Sequence, residues 1–140
     1  MIVACPHCAA LNRLPPAREA TTAKCGICKK PLFMATPLDL TDANFAAHAE
    51  KAELPLVIDF WASWCGPCRN FAPIFNQAAA ELEPRFRFGK IDTEQQQRLA
   101  ARFAIRSIPT LMVIKQGKIV MQQAGSLPKT QFYQWLNQIA

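Results

Sequence analysis

Six cysteines in 140 residues fall into three Cys-x-x-Cys pairs, Cys5/Cys8, Cys25/Cys28 and Cys65/Cys68, with none left over. Two thiols separated by two residues suit metal binding or dithiol–disulfide exchange better than long-range covalent stapling. A secreted disulfide scaffold is the competing use of six cysteines. The opening stretch Met1-Ile2-Val3-Ala4-Cys5-Pro6 has neither the basic start nor the apolar run of a secretory leader. Paired cysteines without a visible leader fit metal and redox chemistry. No run approaches the roughly 18 uninterrupted apolar residues of a spanning helix, so no membrane association is expected.

The chain is long enough for one compact domain plus a small appendage. With 51% hydrophobic and 19% charged residues, it has the composition of a folded protein rather than a disordered one. Two compositional regimes meet near residue 33. Before Pro31, large hydrophobes are scarce, and prolines and a glycine surround the cysteines. Such a segment cannot bury a core of its own and needs a staple. The division predicts a four-cysteine module over 1–32 and a second domain over 33–140. The net charge of +6 divides along the same line. Residues 1–32 hold Arg13, Arg18, Lys24, Lys29 and Lys30 against Glu19, and the rest hold eleven basic and nine acidic residues. Four thiolates around one zinc would reduce the first excess from +4 to +2. An ordinary solvated surface is expected there, and nucleic acid is not an expected partner.

From Leu32 onward the apolar residues become periodic. Pro37–Leu40 is a short strand, and Thr41 is an expected N-cap for a helix to about Lys51 that turns Phe45 and Ala49 inward. Pro55–Trp61 is a nearly continuous apolar run, the pattern of a strand buried on both faces. A helix follows Cys65 to about Leu82, kinked by Pro73, with Pro84 marking its end. Phe86–Ile91 reads as a strand and Thr93–Phe103 as a helix. Pro109–Lys115 and Lys118–Ala124 form a hairpin through Gln116-Gly117. Ser126 is placed to cap a last helix packing Phe132, Leu136 and Ile139. This order predicts an α/β fold, a mixed sheet between helices.

In Trp64-Cys65-Gly66-Pro67-Cys68, a buried strand delivers Cys65 to a helix start. Unpaired N–H groups and the helix dipole there favour a thiolate, the species that attacks disulfides. Cys68 lies one turn on, along the inner face. Gly66 permits a tight turn, and Pro67 fits an early helical position. The same two cysteines are compatible with a structural pair or half a metal site, although the only histidines are His7 and His48. Asp59 is the one charge in its apolar strand, where burial raises a carboxyl pKa. It is either a functional acid with a shifted pKa or a tolerated structural acid.

The Trp-Cys-Gly-Pro-Cys motif resembles the active site of the thioredoxin family, and residues 36–140 are similar to a complete thioredoxin domain. The resemblance implies a thioredoxin fold and reversible dithiol–disulfide exchange with protein substrates. It also implies roles for particular residues. Asp59 becomes the buried acid behind Cys68, and Lys90 the lysine near that acid. Ile108 and Pro109 become the cis-proline segment that faces the redox pair and offers backbone to an extended substrate. Trp64, Gly66, Pro67 and Gly125 complete an exposed rim, while Trp61 packs beside the site. Ser107 stands where many members have glycine.

Cys5-Pro-His-Cys8 and Cys25-Gly-Ile-Cys28, sixteen residues apart, have the spacing of paired zinc knuckles. Four thiolates leave no open coordination position, so one structural Zn2+ per chain is expected, without any organic cofactor. Two disulfides, or two more redox pairs, are the alternatives. A knuckle pair preceding a thioredoxin domain resembles the zinc-binding thioredoxin 2 type. That likeness implies a cytoplasmic protein and a partner, an NADPH-dependent thioredoxin reductase, which carries the flavin and nicotinamide itself. A zinc-dependent binding module on a thioredoxin scaffold is the rival reading. Intact Cys65, Cys68, Asp59 and Pro109 argue against it.

Overall fold

The computed structural model describes residues 1–16 and 19–139. Two short strands, β1 (Ile2–Ala4) and β2 (Leu11–Arg13), pair antiparallel at the N-terminus. A single turn of 3-10 helix covers Ala20–Thr22. Then come β3 (Leu38–Asp39), a π-helical turn over Ala47–Lys51, β4 (Leu56–Trp61), α1 (Gly66–Leu82) and β5 (Arg87–Asp92). The chain finishes with α2 (Gln97–Arg102), β6 (Thr110–Lys115), β7 (Lys118–Ala124) and α3 (Lys129–Leu136).

The main sheet has the order β3-β5-β4-β6-β7, with β3, β5 and β4 parallel and β6 and β7 antiparallel. The apolar run before Cys65 becomes the central strand β4, whose first five residues are buried. Side chains alternate across a strand, so β4 supplies two cores. Val57 joins Phe71, Phe75, Phe88, Leu111, Val113 and Phe132 under α1 and α3. Leu56, Ile58 and Phe60 pack on the other face with Leu40, Phe45, Ile91, Leu99 and Met112. Asp59 shares the parity of Val57 and so lies on the α1 face.

Three expected caps and boundaries differ. The Thr41 side chain caps nothing. Its backbone N–H donates to Asn44 Oδ1 (2.7 Å), its carbonyl accepts from Phe45 N–H (3.0 Å), and the turns after it widen into the π-helix. Phe45 and Ala49 are nonetheless buried. The helix expected from Thr93 starts only at Gln97, because Asp92 Oδ1 accepts from the N–H groups of Glu94 and Gln95 and holds a turn. Pro128, not Ser126, occupies the N-cap of α3, with no side-chain cap.

The N-terminal segment also has more of a core than its composition suggests. Val3, Cys5, Leu14, Ala23, Cys25 and Leu32 are buried together with Phe33 and Leu54, so the main domain completes that core. Polar contacts fix the junction. Glu53 N–H donates to the Ile2 carbonyl (2.9 Å), and Ile2 N–H donates to the Glu53 carboxylate. Arg87, 3% exposed, donates from Nη2 to the Ala4 carbonyl (2.8 Å). Its guanidinium lies 4.5 Å from the Phe33 ring centroid and pairs with Glu83 at 3.8 Å. Glu83 Oε1 accepts from Ala35 N–H (3.1 Å).

Candidate redox and metal sites

Cys65 is the N-cap of α1, and Pro67 occupies the first turn. Its Sγ accepts from Cys68 N–H at 3.2 Å, one of the donors a helix start leaves unpaired. The same contact, with the helix dipole, stabilises negative charge on this sulfur once the pair is reduced. Cys65 and Cys68 are joined as a disulfide with their Cα atoms 5.2 Å apart. Both are buried, and Cys65 Sγ lies 3.7 Å from the Ile108 carbonyl. The Ile108–Pro109 peptide is cis. The Pro109 carbonyl accepts from Gly125 N–H (2.8 Å), and Gly125 has a φ of +86°, which suits glycine. Ser107 carbonyl accepts from Thr110 Oγ1 (2.6 Å).

Trp64 is the most exposed aromatic of the site, at 65%, and its indole N–H donates to Glu94 Oε1 (2.7 Å). Glu94 was not legible as a site residue, because it lies thirty positions away in an exposed turn. Trp64, Thr93, Ile105, Arg106, Ser107 and Ile108 line a groove of about 410 Å³ beside the redox pair. Gly66 and Pro67 sit at the start of α1.

Asp59 is fully buried, and neither carboxylate oxygen has a hydrogen-bond partner among the described residues. Burial pushes its pKa up from 3.8 to about 7, against the opposing pull of the Lys90 ammonium. Lys90 is the in-register neighbour of Asp59 on β5, and its Nζ lies 4.5 Å from the Trp61 ring centroid. Trp61 and Lys90 also border a cavity of about 390 Å³ with Asp39 and Asp92.

The four remaining cysteines converge. Their sulfurs all lie within 4.8 Å of one another, with Cys5–Cys28 at 3.6 Å and Cys8–Cys25 at 3.7 Å. A tetrahedral zinc with sulfurs at about 2.3 Å needs them about 3.8 Å apart, so the cluster fits that ion. The two knuckles repeat one local design. Cys5 N–H donates to the Ala10 carbonyl and Cys25 N–H to the Lys30 carbonyl, while Ala9 and Lys29 N–H groups close back on the Cys5 and Cys25 carbonyls. Ala9 and Lys29 both take left-handed φ, 63° and 66°. His7 N–H points to Cys5 Sγ and Ile27 N–H to Cys25 Sγ, at 3.3 and 3.4 Å. His7 thus contributes through its backbone. Asn12, which no spacing rule flags, donates to Cys25 Sγ (3.5 Å) and accepts from Gly26 N–H (2.9 Å). Burial pushes the Cys5 thiol up to about 12, whereas the Cys28 backbone N–H, followed by Asn12, brings Cys25 down to about 6. Among the described residues this is the one group of three or more His, Cys, Asp or Glu placed to hold a metal.

Comparison with known proteins separates the same two parts. The family model described as thioredoxin matches residues 36–138, and that described as the N-terminal domain of thioredoxin 2 matches residues 4–30. The chain is 41% identical over 138 residues to thioredoxin C-3 of Corynebacterium nephridii, spanning 99% of this chain and 94% of the relative. It is 40% identical over 105 residues to a thioredoxin of Haemophilus influenzae, spanning 75% of this chain and 98% of that one. Thioredoxin 1 of Nostoc sp. is 38% identical over 103 residues, 74% of this chain and 96% of the relative.

Proposed function

The chain belongs to the thioredoxin family, and we propose from that premise that it reduces protein disulfides in the cytoplasm, with Cys65 as attacking thiolate and Cys68 as resolving thiol. The observation that carries this reading is the Cys65–Cys68 disulfide at the N-cap of α1, facing the Ile108 carbonyl. In each turnover Cys65 thiolate attacks one sulfur of a substrate disulfide. That bond breaks, the second substrate sulfur leaves as a thiolate and is protonated, and a mixed disulfide forms. Cys68 then loses its proton, attacks Cys65 Sγ and releases the first substrate sulfur. Two electrons pass to the substrate and the Cys65–Cys68 disulfide returns. Asp59, with its pKa near neutrality, is the proposed acceptor for the Cys68 proton. Lys90 tunes that acid through its charge. The backbone at Ile108 and Pro109 receives an extended substrate segment, and Trp64, Gly66, Pro67 and Gly125 form the apolar rim around it.

Cys5, Cys8, Cys25 and Cys28 would hold one zinc ion per chain, which when bound cross-links the two knuckles. We assign residues 1–32 to this module and 33–140 to the redox domain. The partner that restores the dithiol is a thioredoxin reductase using NADPH. Among the described residues no helix is long and apolar enough to cross a membrane. The test couples NADPH oxidation by purified thioredoxin reductase to reduction of insulin, with metal content measured on the same protein. NADPH consumption that depends on this chain, and about one zinc per chain, are expected. Absence of turnover would overturn the reductase reading.

A further inference from the structure

The redox pair and the zinc cysteines occupy opposite poles of the molecule. Cys65 begins α1, and Glu83 ends it. A 17-residue helix spans about 25 Å. At the Glu83 end, Arg87 binds the Ala4 carbonyl next to Cys5, and Glu83 itself binds Ala35 N–H. Ile2 is tied to Glu53, and Phe33 lies under the Arg87 guanidinium. None of these anchors uses the metal.

The anchors limit reach. Cys8 is exposed and Cys28 half-buried, while Cys5 and Cys25 are buried. Cys8 is four residues from Ala4, at most about 14 Å of extended chain, and Cys28 is five from Phe33, about 17 Å. Neither can cover the length of α1 while the anchors hold. Yet the sulfurs sit 3.6 and 3.7 Å apart in pairs, close enough to be oxidised to disulfides by a peroxide. The chain's own Cys65 cannot repair them.

We infer that the oxidised four-cysteine module is a substrate for the Cys65–Cys68 pair of a second copy of this chain. The inference rests on the reductase reading above. Peroxide takes two thiols to a disulfide and two waters, freeing the metal. In repair, Cys65 thiolate of one copy attacks Cys8 Sγ of a Cys8–Cys25 disulfide in another. Cys25 leaves as a thiolate, and a Cys65–Cys8 bond joins the chains. Cys68 then gives up its proton, attacks Cys65 Sγ and frees Cys8. The module gains two electrons, its two sulfurs leave as thiolates, Cys68 releases one proton to solvent, and the attacking pair becomes a disulfide.

The test uses full-length protein throughout. A Cys65→Ser/Cys68→Ser chain, oxidised by hydrogen peroxide and freed of metal, is mixed with isotope-labelled, reduced wild type. Thiols recovered in the unlabelled chain are counted by mass spectrometry, and Zn2+ uptake is followed with a chromogenic indicator. One dithiol recovered per wild-type dithiol consumed is expected. Recovery per chain should slow about tenfold on tenfold dilution of both chains. With reduced Cys68→Ser in place of wild type, a disulfide-linked dimer containing Cys65 and Cys8 should accumulate. For oxidised wild type recovering under limiting dithiothreitol, the excess rate over the double variant should also fall with dilution. A dilution-independent excess would mean repair within one chain and overturn the inference. No transfer while insulin is reduced normally in the same tube would overturn it alone, and failure of both would overturn the reductase reading with it.

Discussion

Asp59 combines full burial, no hydrogen-bond partner among the described residues and a pKa raised from 3.8 to about 7. Because the folded state holds this proton more tightly than the unfolded state, stability falls as pH rises from about 4 to 7, and the cost is complete above 7. A shift of that size corresponds to roughly 4 kcal/mol. Asp59→Asn should therefore match wild type near pH 4 and exceed it by up to about 4 kcal/mol at pH 8, measured by urea denaturation at both values. The same substitution removes the proposed proton acceptor, so the resolving step near neutral pH should slow. An unchanged stopped-flow pH–rate profile would leave Asp59 a structural acid. At the redox pair the two sulfurs have distinct fates. Cys65→Ser should abolish reduction, since no other thiol occupies a helix start at that pole, whereas Cys68→Ser should trap substrates as mixed disulfides. Turnover by the Cys65→Ser protein in the insulin assay would refute the role assignment.

Among the elements, β5 carries the tightest constraint. A Cβ on Gly89 would lie 2.5 Å from Leu40 Cδ1 and 2.8 Å from its Cγ, and Leu40 is itself 1% exposed. Gly89→Ala should cost about 1–3 kcal/mol by overpacking, with activity per folded molecule unchanged because Gly89 faces away from Asp59. A wild-type denaturation midpoint would show that Leu40 can move at no cost. What the sequence disclosed about these elements follows their physics. The strand before Cys65 and helix α1 were legible because continuous β-branched burial and a proline-bearing helix start are local signals. The late start of α2 was not, because an Asp92 side chain competing for two N–H groups leaves no periodicity. The Cys-x-x-Cys spacings exposed both sulfur sites. The roles of Asn12, Glu94 and Arg87 depend on contacts between distant segments, and hydropathy carries no trace of them.

At the scale of the whole molecule, the two cores of the main domain include, among the described residues, none before Leu38, while the N-terminal core borrows Phe33 and Leu54. Dependence should therefore be one-sided. A chain beginning at Ala35 retains both main cores and the redox pole, and the relative from Haemophilus influenzae, spanned to 98% by 105 residues of this chain, is too short to contain both parts. Loss of the module uncovers Leu54 and hydrates Arg87 and Glu83, which should cost about 2–3 kcal/mol, near the value for exposing one large side chain. Insulin reduction should stay within about twofold, because the lost contacts lie a helix length from Cys65. The module itself, whose small core is completed only by Phe33 and Leu54, should draw much of its folding free energy from the metal. Chelation or mild peroxide should then raise amide hydrogen exchange at the two knuckles, Cys5 to Ala10 and Cys25 to Lys30, while the Ile2 amide, which donates to Glu53, exchanges more slowly. A metal-free native protein would refute the zinc assignment, and a folded but inactive chain from Ala35 would refute the division of labour between the poles.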